Sequence, residues 1–367
     1  MRVLLINNYS MERAYALWKQ GTSGSHHVWG KVELDERKNV EIIILQHEKY
    51  KFLNRLGNIF KIGHLDQQLR TLAILKSVDI IYSPYSTANT KLLLFLKLIG
   101  LLKKPIVVTV HQPILGAKSN NIAIKSFAKK YFLKYDACIF LSRKLMHNMI
   151  EVFEISQKEK DQRFFSSEWG PDTNFYQKYS EPKLPHLCPY VISAGHTDRD
   201  YETLIEAFRG INFQLRIFCT PKSVPKTKDI PENVIIVSET LPYEEILKHY
   251  VYARIIAIPL KYPASKEGCQ GMTSLQDVIA LGKPVIMTEN KSLNMQVEKE
   301  GIGYCVGQGD VGGWRNALND LIFDEEKLID MSGKALALHR FKYNSRIFAN
   351  DLEKVLMEVH TRKKTLS

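Results

Sequence analysis

Twelve short apolar runs, most of them rich in valine and isoleucine, constrain this chain more than any other feature. They occupy residues 3–6, 40–45, 78–82, 106–110, 137–141 and 163–166, then 190–193, 214–219, 234–237, 254–259, 284–287 and 303–306. Segments with helical spacing separate most of them. Short β-branched runs bounded by turn signals read as strands buried on both faces, and their alternation with helices argues parallel sheets joined by crossover helices. The two groups are divided at residues 180–189, where Pro182, Pro185 and Pro189 rule out a helix and mark a linker. At 367 residues the chain also exceeds what one core serves. The expected fold class is therefore α/β, as two doubly wound Rossmann-like domains facing across a cleft. The first would span 1–180 and the second 187–344, with a helix in segment 345–367 packing back on the first. Ligands of such sheets collect at the carboxyl ends of the strands.

Charge is distributed unevenly over these halves. Residues 1–183 hold 28 Lys+Arg against 16 Asp+Glu, whereas residues 184–367 hold 23 of each, so the first half carries the whole net charge of +12. Between Ile80 and Tyr135 there are nine lysines and no Asp or Glu. A one-sided field of this kind predicts a polyanionic surface as partner, with simple solubility as the alternative. Phe52, Leu53, Leu56, Ile59 and Phe60 repeat at helical spacing with Lys51, Arg55 and Lys61 off that face. That pattern predicts a basic amphipathic helix able to lie in an anionic membrane interface. The leucine-rich segment 91–104 reads instead as a buried crossover helix, because its lysines share no face. Five scattered cysteines without a C-x-x-C pair predict reduced thiols and a cytoplasmic chain. The apolar start MRVLLINN is too short for a signal peptide, and no segment supplies the roughly 18 apolar residues that a membrane span needs.

The chemistry-bearing pattern lies at residues 255–286, IIAIPLKYPASKEGCQGMTSLQDVIALGKPVI. It predicts a strand, a small-residue loop, a helix opening at Thr273 or Ser274, and a second strand. Free N–H groups at a helix start, with Gly271 allowing close approach, suit a phosphate group. Asp277, about one turn in, is placed to accept hydrogen bonds from the hydroxyls of a ribose. Residues 190–208 supply a second edge, where His196 and Arg199 follow a strand and can offer positive charge to a diphosphate. Asp198 and Asp200 superficially resemble a divalent-metal motif, but both read better as caps of the helix that follows, and no metal is expected. The turn after the first strand is not G-x-G-x-x-G, which argues against a nicotinamide or flavin cofactor. Gly21 and Gly24 open a later loop that can bring backbone donors to a phosphate or sugar hydroxyl, or can simply connect two elements. His111 stands at the carboxyl edge of the strand over 106–110, and Asp172 reads as a turn or cap residue.

Taken in order, these motifs resemble those of GT-B-fold glycosyltransferases, in particular the large retaining family that includes sucrose synthases and bacterial polysaccharide and lipid mannosyltransferases. The strand ending at His111, the Gly170–Phe175 turn, the Gly195–Phe208 segment, the Leu241–Tyr250 segment, the Gly271–Ile286 segment and the 297–331 segment are all similar to that family's. The resemblance implies a metal-independent, retaining transfer of a sugar from a nucleoside-diphosphate donor to a lipid-linked or glycan acceptor, with no cofactor. It implies that His111 and Glu267 act at the sugar. It assigns the donor nucleotide and diphosphate to Gly21, Gly24, His196, Arg199, Lys222, Leu241, Gly271, Met272, Thr273, Ser274 and Asp277. Three departures stand out: His196 and Arg199 occupy the segment where an Arg…Lys pair is usual, the first glutamate of the motif would fall at Cys269, two residues after Glu267, and the second carboxylate is Asp277 rather than Glu. With the basic first half, the resemblance places the protein on the inner face of the cell membrane as a peripheral enzyme. The alternatives are a sugar-nucleotide 2-epimerase of the same fold and a basic nucleic-acid-binding α/β protein. The latter lacks aromatic residues interleaved with its lysines, so no nucleic acid is expected.

Overall fold

A computed structural model describes the chain apart from residues 86–87, 115, 117–118, 120, 180–182 and 366–367. It divides into two compact units. The first comprises Met1–Gly21, Ser25–Trp169 and Ser345–Ser367, and the second comprises Thr22–Gly24 and Gly170–Asn344. The division thus falls between Trp169 and Gly170. The proline-rich segment read as a linker lies in the second unit, and residues 180–182 of it fall outside the described residues.

All twelve strands form where the apolar runs predict them. In the first unit they are β1 (Arg2–Leu5), β2 (Glu41–Ile44), β3 (Ile80–Ser83), β4 (Ile106–Val110), β5 (Ala137–Phe140) and β6 (Phe164–Ser166), in the order β2-β1-β3-β4-β5-β6. In the second they are β7 (Tyr190–Ala194), β8 (Gln214–Phe218), β9 (Val234–Val237), β10 (Ala253–Ile258), β11 (Val285–Thr288) and β12 (Gly303–Val306), in the order β12-β11-β10-β7-β8-β9. Every pairing is parallel. Every residue of β3, β4, β5, β7 and β11 is buried, which is why these strands read as continuous apolar runs rather than alternating ones.

Each order reverses once. In the second sheet the chain runs outward from β7 to β9, then returns to lay β10 on the other side of β7. In the first sheet the same reversal separates β1 from β3. Loops leaving neighbouring strands at such a point diverge to opposite faces and leave a crevice at the carboxyl edge. The final helix, Ser345–Thr365, belongs to the first unit, where Arg37 pairs with Glu353 at 2.7 Å and Ser167 donates to Asp351 at 2.9 Å.

The second unit is built around Trp314, which is wholly buried among Ile205, Phe208, Leu318 and their neighbours. Lys283, in the Gly-Lys-Pro turn before β11, is also buried. Its Nζ donates to the carbonyls of Val251 (2.6 Å) and Ala253 (3.0 Å), so this lysine ties the turn to the start of β10 rather than serving a ligand. Trp314→Ala is expected to lower the stability of this unit by about 3–5 kcal/mol through the cavity it leaves, measured by chemical denaturation.

Candidate functional site

The reversal between β7 and β10 gathers the residues that the sequence pattern singled out. The loop after β7 and the loop after β10 are joined by an isolated antiparallel bridge between Arg199 and Leu260, and Lys261 N donates to Asp198 O at 2.9 Å. Arg199 is thereby aimed at the helix Met272–Ala280, where its Nη2 donates to Ser274 Oγ at 2.8 Å. The guanidinium lies over Gly195, which has a φ of 143° that side-chain-bearing residues rarely adopt; a Cβ there would sit about 2.6 Å from the guanidinium and displace it. Tyr201 donates its hydroxyl to Gly195 O at 2.5 Å and so fixes the same turn.

Gly271, in the left-handed region at φ 82°, is the N-cap of the Met272–Ala280 helix and provides no side-chain cap for its first N–H groups. Asn290 holds the loop ahead of it by donating to the carbonyls of Gly268 (3.0 Å) and Gln270 (2.9 Å). The guanidinium also donates to the carbonyls of Ala194 and Thr197, and together with the free N–H groups of the helix start it makes a candidate anion site. Met272 is half-buried, Thr273 exposed and Ser274 buried.

Asp277 is buried in the same helix. Its Oδ1 accepts the hydroxyls of both Tyr176 and Tyr243, each at 2.5 Å, and the two hydroxyls also touch each other. Burial pushes the Asp277 carboxyl up to about 6, against the opposing pull of the two tyrosine hydrogen bonds. Both phenols are held well above their ordinary value, first by burial and then by the Asp277 charge. Tyr243 opens the Tyr243–Val251 helix, and its ring stacks on Phe175 at 6.2 Å. These tyrosines were not singled out from sequence. They lie 101 and 34 residues from Asp277, and only their presence in the Gly170–Phe175 and Leu241–Tyr250 neighbourhoods could have drawn attention to them.

The remaining expected residues are placed less directly. His196 is exposed on the turn after β7, and Lys222 is exposed in the 3-10 turn Pro221–Ser223 after β8, so both stand at the carboxyl edge of the sheet. Leu241 is half-buried two residues ahead of Tyr243. Glu267 follows the turn Ala264–Lys266, and its Oε1 accepts Ser292 Oγ at 3.1 Å. Asp200 caps the Tyr201–Phe208 helix as expected, but Asp198 does not. It takes a left-handed φ of 53° and contributes its carbonyl to the loop bridge instead. Asp172 is the N-cap of Thr173–Tyr176, with Oδ1 accepting from Asn174 N and Phe175 N. Gly24 is grouped with the second unit. Gly21, in the first, ends the Met11–Lys19 helix at φ 70° with open space around it, a helix-terminating role that needs no ligand.

In the first unit, His111 directly follows β4. Its ring lies against Tyr85 (5.1 Å, edge-on) and Trp29 (6.4 Å), and Trp29 stacks on Trp169 at 5.3 Å. His111 Nδ1 is buried with no hydrogen-bond partner among the described residues. Burial brings its pKa down to about 4, so the imidazole is neutral at physiological pH.

This fold defines a class: two parallel six-stranded α/β units of the kind found in GT-B glycosyltransferases. Solved structures of that class align over nearly the whole chain. A glycosyltransferase from Rickettsia africae ESF-5 is 12% identical, with 98% of each chain covered and a TM-score of 0.66. Sucrose-phosphate synthase from Thermosynechococcus elongatus is 13% identical, with 98% of this chain and 99% of that one covered and a TM-score of 0.67. Anabaena HepE, solved with UDP and glucose, is 14% identical, with 97% and 99% covered and a TM-score of 0.61. At these identities the likeness shows the fold. No protein-family model matches the chain, and neither does any curated protein.

Two pH effects follow. The unfolded His111 takes up its proton near 6.5 and the folded one only near 4, so stability from this residue is lost as pH falls from 6.5 towards 4. Thermal melting of His111→Gln is expected to fall less steeply over that window than melting of the unaltered protein. Asp277 has the opposite sign. Its folded pKa lies above the unfolded value, so the stability it contributes is present at low pH and lost as pH rises through about 6. Asp277→Asn should therefore flatten the melting profile between about pH 4 and 6, since Asn cannot ionise.

Proposed function

We propose that this protein is a glycosyltransferase that takes its sugar from a nucleoside diphosphate bound in the second unit. The observation that carries this reading is Arg199 held on Ser274 at the start of the Met272–Ala280 helix, with the Asp277 carboxylate three residues further along. Three residues of helix rise about 4.5 Å, a span suited to a diphosphate at the helix start and a ribose at Asp277. With Oδ1 taken by the two tyrosines, Oδ2 is the oxygen that receives a ribose hydroxyl. The uridine diphosphate and glucose in the HepE structures are donor groups of the class this reading requires.

In the transfer, the bond between the sugar C1 and the diphosphate oxygen breaks and its electron pair passes to the leaving phosphate. The acceptor oxygen bonds to C1, and its proton goes to the departing phosphate oxygen on the same face, which retains configuration. Arg199 and the N–H groups at Thr273 and Ser274 stabilise the charge as it develops, with His196 and Lys222 adding positive charge at the same sheet edge. No metal is assigned to this step. His111, a neutral imidazole, and Glu267 are the candidates for contact with the sugar.

The acceptor assigned to the first unit is lipid-linked or a glycan presented at an anionic membrane. On the Lys51–Ile59 helix and the residue after it, Phe52, Leu56, Ile59 and Phe60 are all exposed, the last two by about 70%. The helix Ile122–Phe132 adds exposed Ile122, Ile124 and Phe127 among Lys125, Lys129 and Lys130. Apolar side chains that face water beside lysines suit a bilayer interface, where each lysine contributes about 1 kcal/mol on anionic lipid. No helix of the described residues is long and apolar enough to cross a membrane. This reading places the enzyme on the cytoplasmic face.

Calorimetric titration with UDP and other nucleoside diphosphates tests the donor site. Asp277→Ala and Arg199→Gln are each expected to weaken binding roughly ten- to hundredfold, the loss of one charge-assisted hydrogen-bonding group. Unchanged affinity in both variants would exclude the site. Incubation of a nucleotide sugar without acceptor separates transfer from epimerisation, which alone would convert the sugar. Co-sedimentation with phosphatidylserine vesicles is expected at low salt, and Phe60→Asp together with Ile59→Asp should leave the protein in the supernatant.

A further inference from the structure

Two histidines and a glutamate that play no part in the donor site meet on the first unit. His47 and Glu48 follow β2, and His64 immediately precedes the helix Leu65–Ala73. One ligand atom from each, an imidazole nitrogen from either histidine and a carboxylate oxygen from Glu48, lies within 4.8 Å of the others. The two imidazole centroids are 5.3 Å apart. No sequence spacing announces this group, because His64 is brought back only by the corner between the helices Lys51–Ile59 and Leu65–Ala73.

The backbone that carries the three residues is tied down from several directions. His47 N donates to Glu12 Oε1 at 2.7 Å, and His64 N donates to Ala88 O at 3.0 Å. Asp66, fully buried and paired with Arg70 at 2.6 Å, accepts Lys49 N and Tyr50 N at 3.0 and 3.3 Å. Asn54 is the connecting residue. Its Nδ2 donates to Glu48 Oε1 at 3.0 Å, and its Oδ1 accepts Asp66 N at 3.1 Å. A buried amide thus orients the carboxylate and leaves Oε2 for another partner. His47 Nε2 is buried and has no hydrogen-bond partner among the described residues.

We propose that His47, Glu48 and His64 bind one divalent transition-metal ion of the zinc class, with water completing its shell. Two imidazoles and one carboxylate match a borderline ion better than calcium or magnesium, which prefer all-oxygen ligands. Zinc–ligand bonds of about 2.0–2.1 Å set tetrahedral donors roughly 3.3 Å apart, so the group closes slightly around the ion. The ligands bracket the Lys51–Ile59 helix, two before it and one after it, so the ion staples both ends of the segment that exposes Phe52, Ile59 and Phe60. Its role is structural and lies apart from the residues assigned to the donor.

The test uses the full chain, free of any purification tag and stripped with chelator. Titration with Co2+ is expected to give one equivalent per chain, with visible d–d absorption displaced by Zn2+. His47→Gln and His64→Gln should each abolish that absorption, and Asn54→Ala should weaken binding roughly ten- to hundredfold. Absorption that survives in both histidine variants, or no absorption with the unaltered chain, overturns the site. A readout that needs no variant is trypsin cleavage at Lys51, Arg55 and Lys61, expected to slow several-fold with Zn2+. Cleavage at an unchanged rate in the metal-loaded chain overturns the staple.

Discussion

The candidate donor site depends on β10 returning to lie beside β7. That return places the loop after Ala194 and the loop after Ile258 on neighbouring strands, where the Arg199–Leu260 bridge joins them. Without it, Arg199 would have no fixed relation to Ser274, and the helix start at Gly271 would be one of many in the chain. The Ala194 and Thr197 carbonyls partly offset the cost of confining a guanidinium beside a helix N-terminus, and a bound anion would offset more of it. A glycine beneath the arginine and a helix start without a side-chain cap serve the same end.

Asp277 extends this logic one turn along the helix. A carboxylate buried this completely would favour its protonated form, and burial does raise its pKa to about 6. Two tyrosine hydroxyls partly offset that penalty by donating to one oxygen, which leaves an acceptor oriented and mostly ionised near neutral pH. The shorter Asp, where the family resemblance has Glu, is thus accompanied by two phenols that hold it in place. His111 is a different case: its burial among Trp29 and Tyr85 favours the neutral ring, so it suits hydrogen bonding rather than charge stabilisation.

The first unit has its own division of labour. Its sheet is as fully buried as the second, while the helices Lys51–Ile59 and Ile122–Phe132 turn aromatic and aliphatic side chains to solvent among lysines. The amphipathic reading of residues 51–60 anticipated that face, with only Leu53 less exposed than its companions. The leucine-rich segment expected to be buried is divided: Leu93 and Leu94 face the core, whereas Phe95, Ile99 and Leu101 are exposed.

Strand number, strand position and fold class were legible in the sequence because burial on both faces demands continuous apolar runs, a local signal that tertiary packing does not override. The helix start near Thr273 and the cap at Asp200 were legible for a similar reason, since glycine and aspartate have strong local preferences at helix ends. What the sequence did not contain was the meeting of distant side chains. Tyr176 and Tyr243 on Asp277, Trp29 and Tyr85 on His111, and His64 beside His47 are brought together by strand order and helix corners. Asp198 shows the limit in miniature: the spacing suited a cap, but the loop bridge to Leu260 and Lys261 gave its backbone another task. Local chemistry chose the elements, and the two reversals of strand order chose which of their ends would face one another.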